Sequence, residues 1–403
     1  MKKVALLLAA LIGAASLACA QDAGANEAVT AHYDVYASAG PAQAKAIADG
    51  MEAFFDLYNS FFHFDLSALK SKLNVRIYAN RQDFDSYLAK VVPATHDSFV
   101  YLQYQDPGRS VLVGYDMDDL ASFERALIHH GFVQFLRTFI AQPPLWLQEG
   151  CAVYFEASAY DATQKVAVFR PNLGWIATLK QEVGTYLASN DTSAIIPLDT
   201  LLTMDTDAAL QRLPTFYAEA WGLVSFLVNS KDPVYNRVLW DGIAALQPKA
   251  TASANSAEME TRAFTWVSDT QLMSAFASYL DSVKTFPELV NDGMRAYSAG
   301  DLATAQTDFA EAIALNESNS IPYYYLGLVK YGEKDFYGAE HYFQTALQMG
   351  ADRGLVDYAL GVNAFADNRM DDAKSYLTQA TTSAGYKDKA DTLLKQIDGI
   401  TAQ

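Results

Sequence analysis

A 34-residue periodicity in the last third of the chain constrains its fold more than any other feature. Glycine recurs at Gly293, Gly327 and Gly361, each 34 residues after the one before. Four further columns of small, aromatic or aliphatic residues keep this spacing: Ala305, Ala339 and Ala373; Ala312, Ala346 and Ala380; Phe309, Phe343 and Leu377; Tyr297, Tyr331 and Phe365. Chance does not place five columns in one register, so this segment repeats one structural unit three times.

A unit of this length resembles the tetratricopeptide repeat, in which a helix, a turn and a second helix stack into a solenoid. The resemblance covers residues 286–387 as three repeats. Residues 388–403 are predicted to form a capping helix and tail, because Leu393, Leu394 and Ile397 stand at helical spacing. A solenoid needs such a cap to cover its last apolar face. We therefore expect an all-α solenoid in this part of the chain.

The resemblance implies a concave groove that is lined by the first helix of each repeat and binds a protein or peptide partner. The register places nine residues on or near it: Val290, Met294, Tyr297, Tyr324, Leu328, Tyr331, Tyr358, Val362 and Phe365. For each one singly, ordinary packing between helices is the alternative. As a set they are apolar and aromatic with no cluster of Lys or Arg, which favours an apolar peptide or helix over an acidic C-terminus.

Residues 1–20 have the pattern of a secretory signal peptide. Two lysines precede an apolar run, and small residues end at Ala20. The short, alanine-rich run is typical of bacterial export, so we expect a protein of the periplasm or outer envelope. Cys19 leaves a lipoprotein with an N-terminal lipid anchor as an alternative, although Ser16 stands where a lipobox usually has Leu.

The charge of the chain argues against two classes of partner. There are 29 basic and 47 acidic residues, a net charge of −18, whereas nucleic-acid binding needs a basic footprint. Docking on anionic lipid needs basic residues as well. After residue 20, no apolar run is long enough to span a bilayer, so no transmembrane segment is expected.

Between the signal peptide and the repeats, we predict a linker at residues 21–30 and one α+β domain over residues 31–283. Residues 32–37 and 73–79 alternate apolar and polar side chains as half-buried strands do, and residues 42–62 show helical spacing. Most of the chain after these segments has helical patterns. The predicted fold class is therefore a small mixed sheet plus helices, followed by the solenoid.

Two stretches of this domain carry the strongest sign of chemistry, ALIHHGFVQFL at 126–136 and PLWLQEGCAVYF at 144–155. Together with FYAEAW at 216–221, they resemble the peptidase MA-like gluzincins, a family of zinc metallopeptidases. In that family, H-E-x-x-H on one helix is followed by P-x-W-x-x-E-G-x-A-x-Y on the next. The resemblance implies two His and one Glu as zinc ligands, a water at the open position, and a Glu that takes the proton of that water.

This chain departs from the family pattern at two functional positions. In the better register, His130 matches the first ligand and Glu149 the third. Gln134 then stands at the second-ligand position, and Gly131 stands where the general base should be. Because amides are poor zinc ligands and two good ligands make a weak site, the sequence predicts a vestigial metal site with no catalytic residue.

The other register begins at His129 and fits metal binding less well. It places His130 at the base position and Val133 at the second-ligand position. Cys151 stands where the family usually has an aliphatic residue, so we expect a buried, inert thiol. Tyr217 is expected to be a core tyrosine, with an oxyanion donor in an active ancestor as the alternative.

The resulting prediction is an exported bacterial envelope protein with an inactive metallopeptidase-like domain and protein-binding repeats, acting as a scaffold without a cofactor. The first alternative is an active, atypical zinc metallopeptidase, in which His130 and Glu149 hold zinc with an outside ligand such as His96 or His129. The second alternative is a purely structural repeat scaffold in which residues 31–283 are a spacer.

Overall fold

The computed structural model describes residues 26–92, 98–189, 191 and 193–401. The predicted signal peptide, Cys19 and His96 lie outside these residues. The chain divides into two compact units, one ending at Val283 and one beginning at Lys284, and each is described by itself. Every helix in the described ranges is too short or too polar to cross a membrane.

The first unit begins with a five-stranded mixed sheet. Its strands are β1 (Glu27–Val29), β2 (Tyr33–Ala37), β3 (Leu73–Tyr78), β4 (Phe99–Leu102) and β5 (Val111–Tyr115). They lie in the order β1-β2-β3-β5-β4, with β2, β3 and β5 parallel and with β1 and β4 antiparallel to their neighbours. The small mixed sheet that the sequence predicts is present.

Alternation of apolar and polar side chains accounts for the two central strands. Tyr33 and Val35 in β2, and Val75 and Ile77 in β3, are buried, while the residues between them are partly exposed. Since successive side chains of a strand point to opposite faces, one face of the sheet is apolar. It packs against the long helix α1 (Pro41–Phe62).

The predicted linker contains a strand that the sequence analysis did not anticipate. Within residues 21–30, Glu27–Val29 form β1, and Ala28 lies opposite Val35 of β2. The strand has only three residues, and two of them are exposed, so it offers no periodic pattern. Pairing with β2, a tertiary contact, determines its conformation.

Helices build the rest of the first unit. The helices up to the middle of the unit are α2 (Arg81–Leu88), α3 (Leu120–Phe139) and α4 (Leu145–Phe155). A short antiparallel hairpin of β6 (Ala159–Asp161) and β7 (Val166–Val168) follows. The later helices are α5 (Ile176–Ser189), α6 (Leu198–Thr203), α7 (Thr206–Gln211), α8 (Leu213–Asn229), α9 (Pro233–Ala245), α10 (Ala252–Arg262) and α11 (Asp269–Ser282).

The core of the first unit forms where α3, α4 and α8 pack together. Gly150 allows α4 and α8 to approach closely, because a Cβ at this position would lie 2.4 Å from the carbonyl oxygen of Ala220. Trp146 and Trp221 are almost completely buried on either side of this contact. The close approach places the residues of α4 directly against α3 and α8.

The second unit consists of helical hairpins. Its helices are α12 (Phe286–Ser298), α13 (Leu302–Leu315), α14 (Ser320–Gly332), α15 (Phe336–Gln348), α16 (Arg353–Ala366), α17 (Met370–Ala380) and α18 (Lys387–Thr401). Each of the odd-numbered helices α13, α15 and α17 packs on the even-numbered helix before it and on the one after it. The all-α repeat architecture that the periodicity predicts is therefore present.

The 34-residue columns have a direct physical cause. The repeated glycines Gly293, Gly327 and Gly361 pack against the repeated large residues Phe309, Phe343 and Leu377. A Cβ at Gly293 would lie 2.8 Å from the ring of Phe309, and a Cβ at Gly327 would lie 2.5 Å from the ring of Phe343. Only glycine permits this approach of the two helices of a repeat. Ile397 of α18 is buried in a cluster with residues of α16 and α17, as a capping helix requires.

Candidate functional site

The stretches that carry the metallopeptidase resemblance come together in the core of the first unit. The histidine pair lies on α3, Glu149 lies on α4, and Tyr217 lies near the start of α8. His129 is 6% exposed and Glu149 is 3% exposed. The structure therefore forms a buried polar cluster from residues of the three stretches on which the resemblance is based.

His129 lies between two carboxylates. Its Nε2 is 3.2 Å from Oε2 of Glu149, and its Nδ1 is 2.7 Å from Oε1 of Glu156. Burial disfavours the imidazolium, but the hydrogen bonds and charges of Glu149 and Glu156 outweigh it and raise the pKa of His129 to about 10. His129 is therefore a cation at neutral pH, and both of its ring nitrogens donate to carboxylates.

Glu149 is surrounded by donors. Besides His129, Nε2 of Gln148 donates to its Oε1 at 2.7 Å, and the Tyr217 hydroxyl donates to its Oε2 at 3.4 Å. Burial would raise the pKa of Glu149, but the hydrogen bonds from His129, Gln148 and Tyr217 and the charge of His129 hold it below its usual value. Glu149 is an ionised, multiply hydrogen-bonded carboxylate that balances the charge of His129.

The structure does not bring His130 and Gln134, the first-ligand and second-ligand positions of the preferred register, to Glu149. The His130 ring lies 5.7 Å from the Phe99 ring on β4. Gln134, one turn further along α3, donates through Nε2 to the backbone oxygen of Asn74 on β3 at 2.9 Å. Residues four apart share a helix face, so His130 and Gln134 both face the sheet and not Glu149.

The His129 face of α3 is the one that meets α4. The residue four positions after His129 is Val133, which is buried and apolar. Burial and the charge of His129 hold the pKa of His130 well below its usual value, so His130 is neutral. The orientation of α3 therefore places His129, and not His130, next to Glu149, as in the register that begins at His129.

Gly131 explains why α3 is oriented in this way. A Cβ at Gly131 would lie 2.9 Å from Cε of Met51 on α1, and the Tyr58 hydroxyl of α1 donates to the Ile128 oxygen at 2.8 Å. Gly131, the general-base position of the His130 register, is therefore buried in the contact between α1 and α3, whereas in the His129 register that position is His130. A glycine at position 131 allows the two helices to pack closely.

The residues around Glu149 do not fit a three-ligand zinc site. A zinc site of this family needs two His nitrogens and a carboxylate with one position open for water. The Glu149 face of α3 offers one His, because Val133 stands at the second position. Both ring nitrogens of His129 already contact carboxylates. His96, an outside ligand in the alternative, lies outside the described residues.

Elsewhere in the described ranges, one trio of potential metal ligands comes together: His32, Glu52 and Asp56. Nδ1 of His32 is 2.6 Å from Oε1 of Glu52, and the His32 ring stacks on Phe55 at 4.0 Å. His32 and Glu52 are hydrogen-bonded to each other, and Asp56 is exposed. The trio is far in sequence from the stretches that carry the resemblance.

Other expectations for the core are met. Cys151 is 2% exposed, and burial raises the pKa of its thiol well above the usual range, as an inert thiol requires. Trp146, Tyr154 and Phe155 are buried. Tyr217 is buried as well, with its ring stacked on Trp175 at a centroid distance of 6.1 Å.

The sequence analysis missed Glu156, the second carboxylate on His129. Glu156 follows Glu149 by seven residues, two helical turns, and therefore lies on the same side of α4 and its C-terminal extension. Its Oε2 accepts from Nδ2 of Asn172 at 3.4 Å. A search for acidic residues seven apart on one predicted helix would have found it.

In the second unit, most of the predicted groove residues are partly exposed on the first helices of the repeats. Val290 is the exception, because it is 8% exposed and packs with Leu289 and Ala312, so it belongs to the core. The remaining eight are half-buried: Met294, Tyr297, Tyr324, Leu328, Tyr331, Tyr358, Val362 and Phe365.

Comparison with known protein families finds no match, and none is found among curated proteins. Among solved structures, the chain is similar to the Yersinia enterocolitica type III secretion translocator chaperone SycD, at 14% identity over 32% of this chain and 95% of that chain, with a TM-score of 0.28. It is also similar to a chain of the CopN-Scc3 complex, at 18% identity over 30% of this chain and 73% of that chain, with a TM-score of 0.25. Because both TM-scores are low, these similarities do not establish the fold. The repeat architecture is assigned from the helical hairpins of the second unit.

Proposed function

We propose that this chain is a non-catalytic binding protein of the bacterial envelope. Its second unit holds an apolar or aromatic segment of a protein partner, and its first unit is a metallopeptidase-like module without the zinc chemistry. The single observation that carries the proposal is the row of half-buried aromatic and aliphatic side chains on the first helices of the three repeats.

Tyr325, which lies outside the row, links two of its aromatic members. The ring of Tyr325 is 6.0 Å from that of Tyr297 and 5.8 Å from that of Tyr324, between centroids. Burial raises the pKa of Tyr324 to about 12, with contributions from Tyr386, Tyr325 and Tyr297. Tyr297 of α12 and Tyr386, in the turn before α18, therefore lie near Tyr324, as they would along a continuous groove.

The chemistry of this row favours an apolar ligand. Tyrosine presents a large, rigid apolar area with a polar tip, and such residues supply a large share of binding energy at protein interfaces. No Lys or Arg is among the predicted groove residues, so an acidic C-terminus would find no charge partner. An aromatic or aliphatic peptide, extended or helical, suits the surface better.

The contacts around Glu149, where the resemblance would place the zinc, support a non-catalytic role for the first unit. Gly131, the general-base position of the His130 register, packs against Met51, and in the His129 register that position holds the neutral His130. The Glu149 carboxylate accepts hydrogen bonds from His129, Gln148 and Tyr217. Such a cluster fixes the relative positions of α3, α4 and α8. Export to the envelope is the part of the proposal that rests on residues 1–20 alone.

A random peptide display library, selected on the full chain, tests the binding proposal. We expect selected peptides rich in aromatic and aliphatic residues, and we expect Tyr324→Ala to weaken their binding by at least about tenfold, as for a central aromatic contact. Tyr337→Ala is the matched control, because Tyr337 is 87% exposed on α15 and lies outside the groove set. Selection of acidic C-termini, or equal losses in both variants, would contradict the proposal.

A further inference from the structure

The first unit contains a cavity of about 690 Å³ that belongs neither to the His129 cluster nor to the repeats. Residues of α5, α6, α8 and α11 line it, together with the segment before α6. Its volume lies within the range typical of small-molecule sites, a few hundred to about 1,000 Å³. Apart from one carboxylate, the buried part of its lining is apolar: Val183, Ile195, Ile196, Leu201, Leu223, Leu272 and Phe276.

One buried carboxylate faces this apolar space. Glu219 on α8 lines the cavity and is 6% exposed. Both of its oxygens accept from the single backbone N–H of Ile196, at 2.8 and 3.1 Å. The nearby guanidinium of Arg212 donates instead to the backbone oxygens of Ile195 and Ser193. A buried carboxylate with one N–H donor still has capacity for a cation.

The charged residues that line the cavity are all acidic. Besides Glu219, it is lined by Asp199, Asp269 and Asp281, which are exposed and therefore lie toward solvent. Among the described residues of the lining, none is Lys, Arg or His. The cavity thus combines an apolar interior with four acidic groups, which favours a cationic ligand and disfavours an anionic one.

The protonation state of Glu219 agrees with this geometry. Burial raises the pKa of Glu219 to about 8; the Ile196 hydrogen bond and the charge of Arg212 oppose this shift, and the charge of Glu182 adds to it. Glu182 is itself partly buried, and its Oε2 has no hydrogen-bond partner. At neutral pH Glu219 is therefore largely a neutral acid, which a bound cation would convert to a carboxylate.

We propose that this cavity binds a small amphiphilic amine, with its ammonium group on the Glu219 carboxylate and its aliphatic tail against the apolar lining. The ammonium supplies the charge partner that Glu219 lacks, and the tail fills space that water wets poorly. This site is independent of the peptide-binding role of the second unit.

Calorimetric titration of the full chain with n-octylamine, 1-octanol and octanoate tests the proposal. The three probes share one tail and differ in charge. We expect octylamine to bind at least about tenfold more tightly than octanol, because the ammonium gains a buried charge partner, and octanoate to bind most weakly. Equal affinity for octylamine and octanol, tighter binding of octanoate, or no binding of octylamine would each overturn it.

Glu219→Gln provides the matched variant, since its amide oxygen still accepts from the N–H of Ile196. It should remove the preference for octylamine and leave octanol binding unchanged. Asp281→Asn, at an exposed position, should change octylamine binding by less than about threefold, because exposed charges are screened. If octylamine binds Glu219→Gln as tightly as the wild type, the assignment of Glu219 is wrong.

A proton measurement tests the same site in the wild type alone, so it stands even if Glu219→Gln does not fold. Octylamine keeps its own proton at pH 7, and Glu219, with a pKa of about 8, must lose one. Titration in buffers of different ionisation enthalpy should therefore show about one proton released per octylamine bound. Binding without proton release would contradict the role of Glu219.

Discussion

Replacing His129 with alanine should destabilise the first unit by about 3–5 kcal/mol at pH 7, because it leaves the buried Glu149 and the partly buried Glu156 without their shared cation. Oε2 of Glu149 is 3.2 Å from His129 and Oε1 of Glu156 is 2.7 Å from it, and Glu149 is 3% exposed. The cavity left by the imidazole adds to this cost.

The sign of the pH dependence follows from the direction of the His129 pKa shift. Its pKa is raised from 6.5 to about 10 in the folded protein, so its stabilising effect is complete below about pH 6.5 and is lost as the pH rises toward 10. Each pH unit inside this interval removes about 1.4 kcal/mol. Between pH 7 and 9 the wild type should therefore lose roughly 2–3 kcal/mol more than His129→Ala does.

Tryptophan fluorescence during urea unfolding can measure this in the full chain. All five tryptophans, Trp146, Trp175, Trp221, Trp240 and Trp266, precede Val283, so the signal reports the first unit alone. The pKa of Glu219 is raised from 4.5 to about 8, so this residue reduces the stability of the first unit as the pH rises through that interval. Since Glu219 is present in both proteins, its effect cancels when their stabilities are compared.

A compensated variant separates charge from packing. His129→Leu combined with Glu149→Gln and Glu156→Gln removes all three charges, and it should recover most of the stability that His129→Ala loses. A loss below about 1 kcal/mol in His129→Ala, or equal pH slopes in the two proteins, would refute the argument that His129 is a buried cation.

Two further predictions concern metal and thiol chemistry. The purified full chain should contain well below one zinc per chain by elemental analysis, and Glu149→Ala should not change this; one zinc per chain, lost in the variant, would reopen the peptidase alternative. In a protein that lacks residues 1–20, Cys151 is the one remaining cysteine. Because burial raises the pKa of its thiol, it should react with a thiol reagent roughly a hundredfold more slowly in the folded protein than in urea. Rapid reaction of the folded protein would show that the surroundings of Cys151 open.

The repeat architecture was predictable because its signal is local and periodic. The Gly327 and Phe343 columns report a contact between two helices of one repeat, and the same contact recurs every 34 residues. The turns share the period as well, with left-handed backbone at Gly300, Lys334 and Asn368. The central strands and α1 were predictable for the same reason, since alternation and helical spacing are properties of short segments.

The candidate site was predictable only in part. The sequence identified α3, α4 and Glu149 as its components, but it could not decide whether His129 or His130 faces Glu149. Adjacent residues on a helix point about 100° apart, so a rotation of α3 by that angle about its axis exchanges them, and the sequence pattern does not fix this rotation. The sequence also gave no indication of the cavity around Glu219, whose walls come from segments that are distant in the chain.

The sequence by itself therefore determined the two central strands, α1 and the stacking of the repeats, because these depend on spacing within short stretches. The tertiary structure decided the rotation of α3, through the contact of Gly131 with Met51, and with it the partner of Glu149. It also decided the pairing of β1 with β2. These outcomes depend on how separate elements pack together, and no local pattern encodes the orientation of one packed element relative to another.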